Sequence, residues 1–356
     1  MKKKLIIIFA ILLILIILSG LGTVIFYNVS LKAPASSKNE LETVTIVIEQ
    51  GQTSRNIIDT LYNNGLIRNK YVGYVYLKLN NDFLLQAGVY DIKVGMDLPE
   101  ILEYIGSGKV RDDSISVTFI EGKRLTSYAT KISETFGYSE VEIMNKLTDS
   151  AYLEKLIAKY WFLTDDILND KLYYALEGYL YPSTYQFERD ASIEDIIEKM
   201  LDTMGSVLKN YESEINASEY NVREILTLAS VIQNEGKTVD FSNIASVFQN
   251  RMDIGMKLES CATSYYGAKK DFTSMGIASD ALISDNNNYN TYLINGLPIG
   301  PISSPSKLAI EAALKPSETE FYFFLSDNEG TSYFFKTYAE HQSKQRELVN
   351  LGKWAR

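Results

Sequence analysis

The sequence predicts an α+β chain in three parts: an N-terminal transmembrane helix, a small α+β module and a larger α+β domain. From Leu5 to Tyr27 the chain carries no charged residue and is mostly Leu and Ile, long enough as a helix to cross a hydrocarbon core of about 30 Å. A unit of β-rich alternation, a glycine and an amphipathic helix then recurs near Val44, Gly88 and Ser116, with the period switching from two to 3.6 inside each unit. Further on, helical periodicity alternates with loops rich in Tyr, Asn, Gly and Pro.

The elements follow in order. Residues 1–4 hold Lys2, Lys3 and Lys4, and basic flanks stay on the cytoplasmic side, so residues 5–27 span the cell membrane once and the rest lies on its outer face. A cleaved signal peptide would need a shorter apolar region and a small-residue cleavage site, and neither is present. Residues 28–42, polar with Pro34, read as a tether. In residues 43–110, Val44–Glu49 and Val89–Lys93 are strands, each followed by a glycine (Gly51, Gly95) and a helix that turns Ile57, Ile58 and Leu61, or Ile101, Leu102 and Ile105, inward. Ser54, Asp97 and, in the third unit, Thr126 are candidate helix caps. Two such units match a cell-wall-binding LysM-type module in size. Residues 111–356 form the larger domain, beginning with the third unit, whose helix carries Tyr128 and Ile132. Ser139–Lys159 and Ser192–Tyr211 read as surface helices with solvated acidic faces.

Composition narrows the chemistry. A formal net charge of −10 repels phosphate backbones and argues against nucleic acid as a partner. Cys261 is the only cysteine and His341 the only histidine, which rules out an intramolecular disulfide and leaves a zinc site without its usual ligands. A Ser-His-Asp triad would have to recruit His341, which reads instead as a surface or capping residue at a helix start. No phosphate-cradling glycine motif occurs, so neither cofactor nor metal is expected. Carboxylates are the chemistry that remains.

One carboxylate stands out. In the helix predicted over Tyr220–Gly236, Val222, Ile225, Leu226, Leu228, Ala229, Val231 and Ile232 cover most of the circumference, so this helix is expected to be buried. Glu235 lies three residues beyond Ile232 and four beyond Val231, against apolar side chains and at the helix C-terminus. Both features raise a carboxyl pKa and suit a general acid. The pattern alone favours the plainer reading, an exposed acid at a helix end. A second helix from Phe241 to Met252 follows, and then Leu258–Gly267 and Tyr289–Pro305, which read either as rigid loops lining a sugar-binding groove or as ordered surface loops.

LASVIQNEG, SVFQNRMDIGMKLES, the Tyr266-Gly267 pair, YNTYLINGLP and GPISSP, in this order, together with EGYLYPSTYQF and FFKTYAEH, resemble the MltG-type (YceG-like) endolytic murein transglycosylases. With the anchor and the module, the resemblance spans nearly the whole chain. It implies that Glu235, the second acid of the family's Glu-x-Glu pair, cleaves the MurNAc-GlcNAc bond of peptidoglycan strands and leaves 1,6-anhydro ends, on nascent strands near the membrane and alongside peptidoglycan synthases. The first acid of that pair is Gln233 here, and Cys261 stands where the family has an Asp. Gln233, Asn250, Ser260, Thr263, Tyr266, Tyr289, Asn290, Thr291, Tyr292 and Glu177 are the residues expected to line the substrate groove. A wall-binding scaffold without turnover is the rival from another class. A water-using muramidase, with Glu177 or Glu259 as second carboxyl, is a third reading.

Overall fold

A computed structural model describes residues 2–34, 43–80, 83–108, 114–270 and 279–354. The chain divides into two compact units, Met1–Asp113 and Ser114–Arg356.

The first unit opens with helix α1 (Lys2–Leu31), followed by β1 (Thr43–Ile48), α2 (Ser54–Asn63), α3 (Lys70–Leu79), β2 (Gly88–Lys93) and α4 (Leu98–Gly106). β1 and β2 pair antiparallel from Thr43↔Lys93 to Ile48↔Gly88. Strand alternation sends Ile46 and Ile48 inward, where they meet Ile57, Ile58 and Leu61 of α2 and Ile101, Leu102 and Ile105 of α4. The cap of α2 is Thr53 and not the expected Ser54. At α4 the expected Asp97 is the N-cap, its backbone N–H bonded to Glu100. Helix α3 fills the interval between the two recurrent units, with Asn69 capping it through the N–H groups of Tyr71 and Val72.

The N-terminal apolar helix is longer than the uncharged run suggests. It continues to Leu31, so residues 28–31 are helical and not tether. The next residues are tied down too. Lys32 pairs with Asp97 at 2.6 Å, the Ala33 N–H donates to Asp97, and Arg68 Nε donates to the Lys32 and Ala33 carbonyls. The tether reading is therefore corrected for residues 28–34, because the module supplies partners for their polar groups. Residues 35–42 lie outside the described residues.

The second unit contains β3 (Ser114–Thr118), α5 (Leu125–Phe136), α6 (Glu140–Thr148), α7 (Ser150–Lys159), β4 (Thr184–Glu188), α8 (Ile193–Lys209), α9 (Glu212–Ala217), α10 (Val222–Glu235), α11 (Phe241–Asp253), α12 (Cys261–Gly267), α13 (Asp280–Ile283), α14 (Lys307–Leu314), β5 (Phe323–Ser326), β6 (Ser332–Phe335) and α15 (Tyr338–Asn350). The third strand-turn-helix unit is part of this fold and its strand pairs with a distant one, Ser114↔Glu188 to Thr118↔Thr184. Thr126 does not cap α5. The residue at that position is Arg124 without a side-chain cap, and the orphan N–H of Leu125 is instead taken by the Glu177 carboxyl at 2.8 Å. The acidic segment Ser139–Lys159 breaks into α6 and α7 at Asp149, whose side chain caps the second helix.

Helix α10 is the centre of this unit. Asn221 and Glu224 form its capping box, and Ile225 to Ile232 are all buried, so the helix packs on every side, with α11 and α14 among its neighbours. The segment before α14 runs along it. Ser230 Oγ accepts the Ile302 N–H, Asn234 donates to Ser303 Oγ, and Gln233 Oε1 accepts the Ser306 N–H at 2.9 Å. Ser304 exchanges backbone hydrogen bonds with Gly122 and Lys123. Gly178 is required where this segment crosses the EGYLYP turn: its φ is +81°, and a Cβ there would fall 2.3 Å from Pro301. Two sequence motifs that lie far apart along the chain thus interlock.

Candidate active site

Glu235 is the last residue of α10. The residue keeps a strip of exposed surface, while its carboxyl is drawn out of water, which pushes its pKa up to about 7. Burial is the largest cause, opposed by the Ser260 hydroxyl and the Ala262 N–H, which both donate to the carboxylate, and by the positive charge of Arg251. The partial negative charge of the helix C-terminus acts in the same direction as burial. Ser260 Oγ meets Glu235 Oε1 directly, across a separation of 25 residues.

A constrained turn delivers that serine. Arg251, near the end of α11, is buried and donates to the carbonyls of Lys257, Leu258 and Tyr322. Glu259 follows with φ +53°, a left-handed conformation costing a non-glycine residue about 1–3 kcal/mol. It is held on both flanks: its N–H reaches the Thr291 carbonyl, and the Ser260 N–H reaches Thr291 Oγ1 at 3.0 Å. Thr263 Oγ1 donates to the Ser260 carbonyl and lies 2.8 Å from Thr291 Oγ1. With that donor proton spent, the Thr291 hydroxyl donates to Thr263 and closes a ring of three hydroxyl residues. The turn then enters α12, whose Ala262 N–H donates to the Glu235 carboxyl.

The residues expected to line a groove separate into two groups. Ser260, Thr263, Tyr266, Tyr289, Asn290, Thr291 and Glu177 are at most 2 % exposed, and their polar atoms are used inside the protein. Asn290 accepts from Ser264 and the Tyr292 N–H and donates to the carbonyls of Leu282, Ile283 and Asp285. Tyr266 and Tyr289 stack with Tyr173, with centroids 4.7–5.7 Å apart. Glu177 accepts from Leu125 N–H and, at 3.0 Å, from the Tyr266 hydroxyl; burial pushes its pKa up to about 7 against those two bonds and the charge of Arg124. All seven residues are enclosed in the fold. They frame the turn that holds Glu235, because a buried polar group must find its partners inside the fold.

Gln233, Asn250 and Tyr292 keep exposed surface. Tyr292 sits beside the acid, its hydroxyl 3.2 Å from Cys261 Sγ, and burial with the neighbouring Cys261 raises its pKa. Asn250 holds the carbonyls of Thr319 and Phe321, both at 2.9 Å, and Gln233 faces Ser306 on another side of α10. The segment expected as a loop from Leu258 to Gly267 is helical over Cys261–Gly267. Arg251 was missed in the sequence, although a lone cation on the buried side of α11 signals an inward charge that needs several acceptors. His341 is neither on the surface nor a cap. Its ring is half-buried against Phe323, Phe335 and Tyr338, and burial with nearby Arg251 lowers its pKa.

Fold and site define a class: a mixed helix-and-strand protein with an N-terminal apolar helix and, at the end of its central helix, an enclosed carboxyl whose pKa is pushed up to about 7. The chain belongs to the YceG-like family, whose model matches residues 46–347. It is 33% identical over 333 residues to the endolytic murein transglycosylase of Bacillus subtilis, covering 93% of this chain and 91% of that one. It is 30% identical to the endolytic murein transglycosylase of Streptococcus pneumoniae strain D39 over 88% of this chain, and that match spans 59% of the pneumococcal protein. The crystal structure of a yceG-like protein from Listeria monocytogenes superposes with a TM-score of 0.61 at 31% identity, over 85% of this chain and 99% of that one.

Proposed function

We propose that this chain is an endolytic transglycosylase of peptidoglycan, held in the cell membrane by α1 with the second unit on the outer face, and that Glu235 is its acid and base. The observation that carries the reading is the enclosed Glu235 carboxyl, with a pKa near 7 and hydroxyl and amide donors fixed on it.

In this reading Glu235 starts protonated. It donates to the oxygen between N-acetylmuramic acid and N-acetylglucosamine as the bond from that oxygen to the anomeric carbon breaks. The resulting carboxylate is stabilised by Ser260, the Ala262 N–H and the charge of Arg251. It then removes the proton of the sugar's own 6-hydroxyl, whose oxygen bonds to the anomeric carbon and closes the 1,6-anhydro ring. The proton returns to Glu235, water is not consumed, and no cofactor takes part. A hydrolase would need a second free carboxyl about 5–10 Å away, and Glu177 has both oxygens committed in the core.

Gln233 does not argue for an inactive scaffold. Its side-chain oxygen accepts a backbone N–H, a task that amide and carboxylate oxygens perform alike. The first unit, with its paired strands and the helices α2, α3 and α4, is proposed as the LysM-like module that retains glycan strands, and synthases of those strands as its neighbours. Lys2, Lys3 and Lys4 set the N-terminus inside.

The test is incubation of the full chain in detergent with purified sacculi, followed by mass spectrometry. Anhydro-ended fragments that disappear in Glu235→Gln support the proposal. Fragments ending in reducing sugars, one water heavier, would establish a muramidase, and binding without fragments would establish a scaffold.

A further inference from the structure

Helix α3 is apolar on two faces. Val72 and Gly73 are buried, with Gly73 so close to α2 that a Cβ would fall 2.9 Å from Ile58 Cγ2. Tyr76 and Leu77 also pack on the core. The opposite face holds Tyr71, Val75 and Leu79, spaced i, i+4 and i+8, at 67%, 48% and 70% exposure. Leu84, just beyond the helix, is 78% exposed. A helix of ten residues on a water-exposed surface would carry polar side chains there, and a contiguous apolar stripe marks a surface that meets something apolar.

What it meets is indicated by its neighbour. α3 packs beside α1, with Tyr76 next to Tyr27, and Leu31 of α1 packs on the module's core. The Lys32–Asp97 pair and the Arg68 bonds to the Lys32 and Ala33 carbonyls fix this junction. The uncharged run Leu5–Tyr27 is about 35 Å long at 1.5 Å per residue, enough to cross a hydrocarbon core of about 30 Å. Residues 27–31 therefore sit at the outer boundary of the bilayer. α3 packs beside α1 at that level. Tyrosines suit this zone.

We infer that the exposed face of α3, Tyr71, Val75 and Leu79, is seated in the outer leaflet at the headgroup boundary, so that its partner is the lipid surface. The inference rests on α1 being a membrane anchor. The first unit would then lie on the bilayer, held there by two apolar helices.

The experiment uses the full chain with Cys261→Ser, reconstituted into phosphatidylcholine vesicles containing a minority of phosphatidylglycerol. An environment-sensitive fluorophore is attached at Leu79→Cys or Val75→Cys, and at Glu103→Cys on α4 as the reference. Flotation with the vesicles reports the anchor, and quenching by nitroxide-bearing lipids reports the depth of α3. The expected result is flotation of every variant, with blue-shifted, quenched emission at positions 75 and 79 and unquenched emission at position 103. In the double variant Val75→Asp, Leu79→Asp, a label at Tyr71→Cys should lose its quenching while the chain still floats. Flotation with equal, weak quenching at positions 79 and 103 overturns the docking and leaves the anchor standing. A chain that stays in the soluble fraction overturns both.

Discussion

The pH dependence of Glu235 follows from its surroundings and can be worked through. Its pKa rises from 4.5 to about 7, and at about 1.36 kcal/mol per unit this makes the ionised form costlier in the fold by about 3 kcal/mol. At pH 7 about half of the molecules carry the acid proton, against about 0.3% for a carboxyl at 4.5, a gain of about 150-fold in competent enzyme. The rate of release of anhydro-ended muropeptides should be level on the acid side of 7 and fall about tenfold per pH unit above it. Stability has a matching slope. The folded state binds this proton more tightly than the unfolded chain, so the contribution is fully present below pH 4.5 and is lost as pH rises through 7. Glu235→Gln should abolish turnover and, above pH 7, match or exceed the wild type in denaturant unfolding by up to about 3 kcal/mol. A rate unchanged between pH 6 and 9, or turnover by Glu235→Gln near the wild-type rate, would refute the assignment.

Ser260→Ala removes a hydrogen bond that lowers the Glu235 pKa, so the alkaline limb of the rate profile should move to higher pH while kcat falls through lost orientation of the carboxyl; initial rates across pH measure both. Glu177→Gln can still accept the Leu125 N–H but offers an N–H where the Tyr266 hydroxyl donates, which should destabilise the second unit by about 1–3 kcal/mol in denaturant unfolding. Arg251→Ala leaves the Lys257, Leu258 and Tyr322 carbonyls without their donor. A loss of about 3 kcal/mol or more is expected, read as a lowered Tm, together with loss of activity as the Glu259 turn relaxes.

The N-terminal apolar helix, the two strands of the first unit, the long buried helix and the acid at its end were legible because each is a local pattern. Leu5–Tyr27 needs only composition, and Ile225 to Ile232 need only helical spacing. Helix ends were less legible where a distant group supplies the cap, as Glu177 does for Leu125. The site was half legible. The family resemblance pointed to Glu235 and to the segments around it, but a roster of motif residues does not separate those that face a groove from those that brace it. Thr263, Asn290 and Thr291 look like sugar-binding side chains in sequence and are fully buried in the fold.

The sequence by itself singled out one carboxylate, at the end of an apolar helix in a chain with a single histidine and a single cysteine, as the candidate for proton transfer. Only the tertiary structure decided which hydroxyl meets that carboxylate, that Arg251 and a left-handed Glu259 shape the turn delivering it, and that residues 32–34 are clamped to the module. The physical reason is range. Periodicity and composition act over a few residues, whereas hydrogen bonds between groups far apart in the chain exist only once packing has brought those groups together and removed the water that would otherwise satisfy them.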